Sequence, residues 1–171
     1  LWNAITGKEE LTFRGHTHAV KGVAFSPDGQ SVLTGSQDHL ARLWEVPSGR
    51  ELSTFKGHSG EVHAVSCSPD NRTIATGSTD GTVRLWTKAQ SQKALPLKGI
   101  NPSARALAIS RDGRRVAFWC EDHATKIWDI TDGVPLFSTQ PSVESVMALA
   151  FSSDGRRLAE CGDAQYAKIW D

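Results

Sequence analysis

The chain has 171 residues, of which 39% are hydrophobic and 22% charged, as expected of a folded globular protein. Its formal net charge is zero, so no overall field favours nucleic acid or an anionic membrane surface, and no apolar run is long enough to cross a membrane. The three cysteines, Cys67, Cys120 and Cys161, form no C-x-x-C pair, which argues against a disulfide framework and for a reducing, cytoplasmic compartment.

Tryptophan recurs at one spacing through the chain. Trp2, Trp44, Trp86, Trp128 and Trp170 follow one another at intervals of 42 residues, and only Trp119 falls outside the series. The interval divides the chain into four units without gaps, 3–44, 45–86, 87–128 and 129–170, whose middles read SPDG, SPDN, SRDG and SSDG. An internal period of this length predicts a repeat architecture.

Each unit is predicted to form four short strands. In the second unit these are residues 61–68, 73–78, 82–86 and 93–97, where apolar residues alternate or cluster as in buried strands. Pro69-Asp70-Asn71 and Asp80-Gly81 supply turn residues between them. Because helical periodicity is absent and turn signals recur every 8–12 residues, we predict an all-β fold.

The first two units share a longer motif. It consists of Gly15-His16, Pro27-Asp28-Gly29, Thr34-Gly35-Ser36, Asp38 and Trp44 in the first, and of Gly57-His58, Pro69-Asp70, Thr76-Gly77-Ser78, Asp80-Gly81 and Trp86 in the second. With this motif the chain resembles the tryptophan–aspartate (WD) repeat family of β-propellers, and the regular repeats are similar to those of bacterial members. The resemblance implies four-stranded antiparallel blades packed radially in a ring of seven or eight.

In this family the sequence repeat is offset from the blade. The resemblance therefore implies that residues 8–13 are the outer strand of a preceding blade and that residues 166–171 complete three inner strands. The chain would hold three complete blades and one blade without its outer strand. Four repeats are too few for an ordinary ring, so either the chain is a fragment of a longer one or two copies close an eight-bladed ring.

A histidine, an acid and a hydroxyl in each of the first two units have the composition of a nucleophilic triad. The resemblance instead implies a structural hydrogen-bonded tetrad that satisfies buried polar groups. Its members would be Asp38, His16, Thr34 and Trp44 in the first unit, and Asp80, His58, Thr76 and Trp86 in the second. Because the indole N–H would cap the hydroxyl, we expect no catalytic residue here.

The third and fourth units depart from the tetrad pattern. At the histidine place they have Ile100 and Ser142, and at the hydroxyl place Phe118 and Glu160. The third unit keeps Asp122, whereas the fourth has Ala164 with Asp163 one place early. We expect these two blades to be held by packing alone, and an active site repeated in every blade is excluded.

Other motifs give no cofactor or metal prediction. Cys120-x-x-His123 is half a zinc-ligand pattern without a second half, and Gly35-Ser36 and Gly77-Ser78 are not followed by a phosphate-loop lysine. A cluster of arginines in two turns has two open interpretations, a solvated turn edge or a docking patch for an acidic partner or phosphate. Its members are Arg111, Arg114, Arg115, Arg156 and Arg157.

By the same resemblance, three positions per blade face the narrow top rim of the propeller, where binding residues concentrate on loops of a rigid scaffold. They are Ala19, Lys21 and Gln37; Glu61, His63 and Thr79; Ser103, Arg105 and Glu121; and Ser145, Met147 and Asp163. Their charges are mixed and they vary between units while the scaffold repeats, which suits a peptide or protein partner better than a polyanion.

The sequence therefore predicts a non-catalytic scaffold that binds protein or peptide partners on its top face, without nucleic acid, membrane, metal or cofactor. The alternative is a sensor or regulatory domain of a larger multidomain enzyme, such as a kinase or a nucleotide-switch ATPase. An enzyme in its own right would need a polar constellation that does not repeat, and the sequence offers none.

Overall fold

A computed structural model of the chain describes residues 1–88, 90–97, 103–141 and 145–171. These residues form β-strands joined by turns, so the predicted all-β class is confirmed. The strands are β1 (Val20–Phe25), β2 (Ser31–Ser36), β3 (Ala41–Glu45), β4 (Glu51–Phe55), β5 (Val62–Cys67), β6 (Thr73–Ser78), β7 (Val83–Thr87), β8 (Gln90–Leu97), β9 (Ala104–Ile109), β10 (Arg115–Cys120), β11 (Thr125–Asp129), β12 (Pro135–Ser138), β13 (Val146–Phe151), β14 (Leu158–Gly162) and β15 (Lys168–Trp170).

The strands form four antiparallel sheets in chain order. The first three sheets have four strands each, β1 to β4, β5 to β8 and β9 to β12, and the fourth has the three strands β13 to β15. The blade content therefore matches the expected three complete blades and one without its outer strand. We number these sheets blades 1 to 4.

The turn between the first two strands is built alike in every blade, which explains the recurring Ser-x-Asp sequence. In blade 1 the Ser26 hydroxyl donates to Asp28 over 2.5 Å, and Asp28 accepts the Gln30 amide over 2.9 Å. Ser68, Ser110 and Ser152 repeat the bond to Asp70, Asp112 and Asp154 over the same distance. Local side-chain bonds of this kind fix turns, so each inner hairpin has the same end.

Neighbouring blades pack face to face, and the first strands lie side by side in the order β1, β5, β9, β13. Leu33, Leu43 and Phe55 of blade 1 bury their side chains with Val62, Ile74 and Trp86 of blade 2. A second cluster joins Leu85 and Leu97 of blade 2 to Val116, Phe118 and Trp128 of blade 3. Burial between blades stabilises the arrangement, because one sheet cannot cover its own faces.

The outward face of β1 is open. Val23 is 68% exposed and Phe25 56% exposed, whereas Val65 and Leu107, at the place of Val23 in the next two blades, pack against buried clusters. At the other end Ile169 is 69% exposed. Among the described residues the four blades form an arc rather than a closed ring, and a ring of seven or eight blades remains a prediction.

The segment before β1 folds back on itself. Trp2 and Glu9 form an isolated antiparallel bridge, and the terminal amino group of Leu1 donates to the Leu11 carbonyl over 2.6 Å. Trp44 and Glu51 make the equivalent pair between β3 and β4. Residues 8–13 thus occupy the register of an outer strand as predicted, but they are paired at a single bridge.

The described part of the chain has no helix of the length and hydrophobicity needed to cross a membrane.

Candidate functional site

A β-bulge recurs at the top of the first strand in every blade. In blade 1, Val20 pairs with Ser36 and Gly22 with Gly35, which leaves Lys21 as the extra residue. Blades 2, 3 and 4 skip His63, Arg105 and Met147 in the same way. A bulge leaves one residue without a ladder partner and re-aims its side chain, so one residue per blade stands apart from the sheet at this edge.

The other two predicted rim positions meet each other in each blade. The Gln37 amide donates to the Ala19 carbonyl over 3.0 Å, and the Thr79 amide to the Glu61 carbonyl over 3.0 Å. Glu121 and Ser103 repeat the bond over 3.2 Å, and Asp163 and Ser145 over 3.1 Å. The structure therefore brings all twelve predicted positions to one edge of the four sheets.

Side chains at this edge form a chain of polar contacts across blades 1 and 2. The Gln37 amide group donates to the Glu61 carboxylate over 3.1 Å, and the same carboxylate lies 3.0 Å from Nε2 of His63. The hydrogen bond from Gln37, and to a smaller extent the contact with His63, hold the pKa of Glu61 below its ordinary value. In blade 3, Arg105 pairs with Glu121 over 2.5 Å, whereas Met147 of blade 4 is 69% exposed.

Ser103 does not fit the expectation of an exposed rim residue. It is 3% exposed, and its hydroxyl has no hydrogen-bond partner among the described residues. A side chain buried to this extent cannot touch a partner, so we remove Ser103 from the candidate contact set. Its carbonyl still accepts the rim bond from Glu121.

Beneath the rim, the predicted tetrad residues of blades 1 and 2 lie in contact. Nδ1 of His16 is 2.7 Å from Asp38, Nε2 of His16 is 2.8 Å from the Thr34 hydroxyl, and the Trp44 indole donates to that hydroxyl over 2.8 Å. In blade 2 the corresponding distances among Asp80, His58, Thr76 and Trp86 are 2.8, 2.7 and 2.9 Å.

A conserved-domain model described as "WD domain, G-beta repeat" matches residues 7–45, 49–87 and 133–171, which together make up most of the chain. The chain belongs to the WD-repeat family. Proteins of this family generally act as interaction scaffolds. The matches pass over the third WD repeat, although that stretch supplies the strands β9, β10 and β11 of blade 3. No curated protein matches the chain.

The protonation state of the WD tetrad follows from its donors and acceptors. The Thr76 hydroxyl accepts the Trp86 N–H, so its own proton is free to go to Nε2 of His58. The imidazole proton then lies on Nδ1 and is donated to Asp80. A neutral histidine between an ionised aspartate and a hydroxyl leaves none of these four groups unpaired.

Burial and charge favour the same state. Burial holds the pKa of His58 below its ordinary value, and the hydrogen bond that His58 donates to Asp80 only partly opposes this effect. For Asp80, burial alone would raise the pKa, but hydrogen bonds from Thr82 and His58 and the amide of Ser59 leave it lowered. For Asp38 too, burial would raise the pKa, but the corresponding hydrogen bonds from His16 and the Thr17 amide outweigh it and leave the pKa lowered.

The tetrad has the wrong arrangement for nucleophilic catalysis. Thr76 is fully buried, and its oxygen already accepts the indole N–H, so no substrate carbon can approach it. Asp80 also accepts the Ser59 amide over 3.0 Å and the Thr82 amide over 3.0 Å. The tetrad therefore clamps the loop before β5 to the β6–β7 turn, directly below the rim.

Blades 3 and 4 replace the tetrad with other contacts. Phe118 is buried beside Trp128, with ring centroids 6.3 Å apart, and Asp122 pairs with Lys126. Glu160 is 7% exposed and accepts the Thr125 hydroxyl of blade 3 over 2.7 Å. The expectation that packing alone holds these blades was wrong, because polar side chains link them. Ile100 and Ser142, at the histidine place, lie outside the described residues.

Sequence reasoning missed the role of Trp119. This residue occupies the place of Gly35 and Gly77, and it packs with Ala106 of its own blade and Val146 of the next. A tryptophan that replaces a repeated glycine was visible in the sequence as the one indole outside the series.

Among the described residues, no cluster of three or more His, Cys, Asp or Glu side chains is placed to hold a metal ion.

Proposed function

We propose that the chain is a non-catalytic interaction scaffold that binds peptide or protein partners through the top edge of its blades. The observation that carries the proposal is the repeated bulge, which presents Lys21, His63, Arg105 and Met147 from identical backbone positions. A fixed backbone with four different side chains is suited to recognising an irregular partner surface.

The supports of this edge differ in strength. In blades 1 and 2 the tetrads tie the loop before the first strand to the turn between the second and third strands, so little conformational entropy is lost there on binding.

The edge carries Lys21 and Arg105 as well as Glu61, Glu121 and Asp163. Mixed charges of this kind favour a protein partner with complementary charges over a nucleic-acid backbone.

The test is selection of random twelve-residue peptides on the immobilised 171-residue chain. A quadruple variant, Lys21→Ala, His63→Ala, Arg105→Ala and Met147→Ala, should lose the enriched peptides, since it removes the side chains but leaves the sheet ladders. A control variant replaces one exposed turn residue per blade at the opposite end of the first strands, Gln30, Arg72, Arg114 and Arg156, by alanine and should retain them. Enriched peptides that survive the first variant and disappear with the second would place binding on the opposite edge and overturn the proposal.

A further inference from the structure

Trp119 changes the packing between blades 3 and 4. At the equivalent position of blade 1, a Cβ on Gly35 would lie 2.8 Å from Val62 and 2.9 Å from Val65. At its place in blade 2, a Cβ on Gly77 would lie 3.0 Å from Ala104. A side chain at either place would press on the first strand of the next blade.

In blade 3 the same place holds a whole indole. Trp119 is 3% exposed and packs against Ala106, Val146 and Leu149. Correspondingly, β10 approaches β13 at fewer points than β6 approaches β9. Trp119 therefore acts as a wedge between the two blades.

A groove of about 540 Å³ opens at the rim above this wedge. Trp119, His123 and Met147 contribute its apolar and aromatic surface, with the His123 ring edge-on to Trp119 at 5.8 Å between centroids. Arg105, Glu121 and Asp163 contribute its charges. The volume lies in the range of ligand sites, which combine an apolar lining with a few polar groups.

The charges of the groove do not balance. Arg105 is engaged with Glu121 through Nε over 2.9 Å. Asp163 is exposed, and its carboxylate makes no hydrogen bond or ion pair among the described residues. One carboxylate is thus left for a cation beside the flexible, 69% exposed side chain of Met147.

The chemistry of the groove restricts its occupant. An occupant must present a cation to Asp163 and an apolar group to Met147, while Trp119, whose Nε1 is buried, forms the floor. A peptide carries basic and aliphatic side chains close to each other, and a simple cation or an apolar small molecule does not.

We propose that the groove between blades 3 and 4 is a specific subsite for a peptide in which lysine or arginine lies close to an aliphatic residue. The basic side chain pairs with Asp163, and the aliphatic one packs on Met147 above the buried Trp119. This inference rests on the proposed function, since it assigns the partner class of one part of the same edge.

The experiment is an NMR titration of the ¹⁵N-labelled 171-residue chain, read at the indole N–H signals of its six tryptophans. Trp119→Phe identifies the Trp119 signal, because that signal alone is lost. The probes are pools of acetylated, amidated hexapeptides with leucine at one fixed position and lysine, arginine or glutamate at another.

We expect lysine and arginine pools to shift the Trp119 signal and glutamate pools to leave it unchanged. Asp163→Asn should weaken binding at least tenfold, and the matched control Asp132→Asn, in the turn after β11, should not.

Preference for glutamate pools, or binding that is unaffected by Asp163→Asn, would overturn the proposal of this subsite. If peptides bind but the Trp119 signal stays fixed and His63→Ala abolishes binding, the subsite fails and the proposed function stands. If no pool binds and peptide selection also yields nothing, both fail.

Discussion

Thr125 and Glu160 connect two blades through a single buried hydrogen bond, in which the Thr125 hydroxyl donates to the Glu160 carboxylate over 2.7 Å. Glu160 stands where blades 1 and 2 have the tetrad threonine, yet its partner belongs to the neighbouring blade. An intrablade bond has thus been replaced by an interblade one. At the same time, Nε1 of Trp170 is buried without an acceptor among the described residues.

We expect Thr125→Val to lower the free energy of unfolding by about 1–3 kcal/mol, because it leaves a buried carboxylate without its hydroxyl donor. The measurement is urea unfolding of the wild type, Thr125→Val, Glu160→Ala and the double variant. Since the two residues touch, the cycle should give a coupling energy of at least about 0.5 kcal/mol. Additive effects would show that the bond contributes nothing to the junction.

Asp80→Ala should destabilise the chain by about 1–3 kcal/mol, because His58, Thr82 and the Ser59 amide lose a buried acceptor. Asp122→Ala provides the matched control. Asp122 holds the same place in blade 3, but its side-chain partner is Lys126 in a half-exposed pair, so we expect a smaller loss. Thermal melting curves compare the two, and equal losses would contradict a special role for the tetrad.

Stability should fall as the pH drops below about 6.5. Burial lowers the pKa of His58 in the folded chain, so the unfolded chain takes up a proton in this window that the folded chain does not, and unfolding becomes easier. The lowered pKa values of Asp38 and Asp80 add a second loss as the pH falls below about 4, because the unfolded carboxylates protonate first.

The first of these steps can be isolated by substitution. His58→Gln should flatten the dependence of unfolding free energy on pH between 7 and 5, while His18→Gln, which removes a histidine outside the tetrads, should leave the slope. Urea unfolding at each pH gives both curves. A slope that persists in His58→Gln would mean that another group controls this range.

The isolated 171-residue chain should self-associate through the open face of β1, since exposed contiguous apolar residues promote contact between molecules. Replacing Val23 and Phe25 by lysine should shift the sedimentation profile towards the monomer. A charge-matched control with lysine at the exposed turn positions Gln30 and Ser153 should not. A wild-type chain that sediments as a monomer at all concentrations would contradict this prediction.

The sequence predicted the parts of this fold that repeat. The 42-residue period and the turn residues were sufficient for the repeat and the all-β class, because these features are local or recur in register. The blade content and the tetrad of His58, Thr76, Asp80 and Trp86 followed from the resemblance to the WD-repeat family. The bulge was not predictable from one unit, since an extra residue in a strand leaves no distinct pattern. It is evident only in the pairing of β1 with β2, where Lys21 has no partner.

Contacts between unlike blades were also beyond sequence reasoning. The hydrogen bond from Thr125 to Glu160 spans 35 residues and depends on the relative placement of two sheets. Glu160 by itself indicated only that a hydroxyl had been lost. Trp119 was recognised as irregular, but whether an indole at a glycine place destroys the junction or opens a groove depends on how far the next blade can move.

The bulge has a consequence for how such a chain can change over evolutionary time. Lys21, His63, Arg105 and Met147 have no opposite residue in the ladder, so a mutation at one of them requires no compensating mutation across the strand. Each blade therefore offers one position that can vary independently of the others and of the sheet. A new recognition surface can arise by four separate single substitutions, none of which has to pass through a misfolded intermediate.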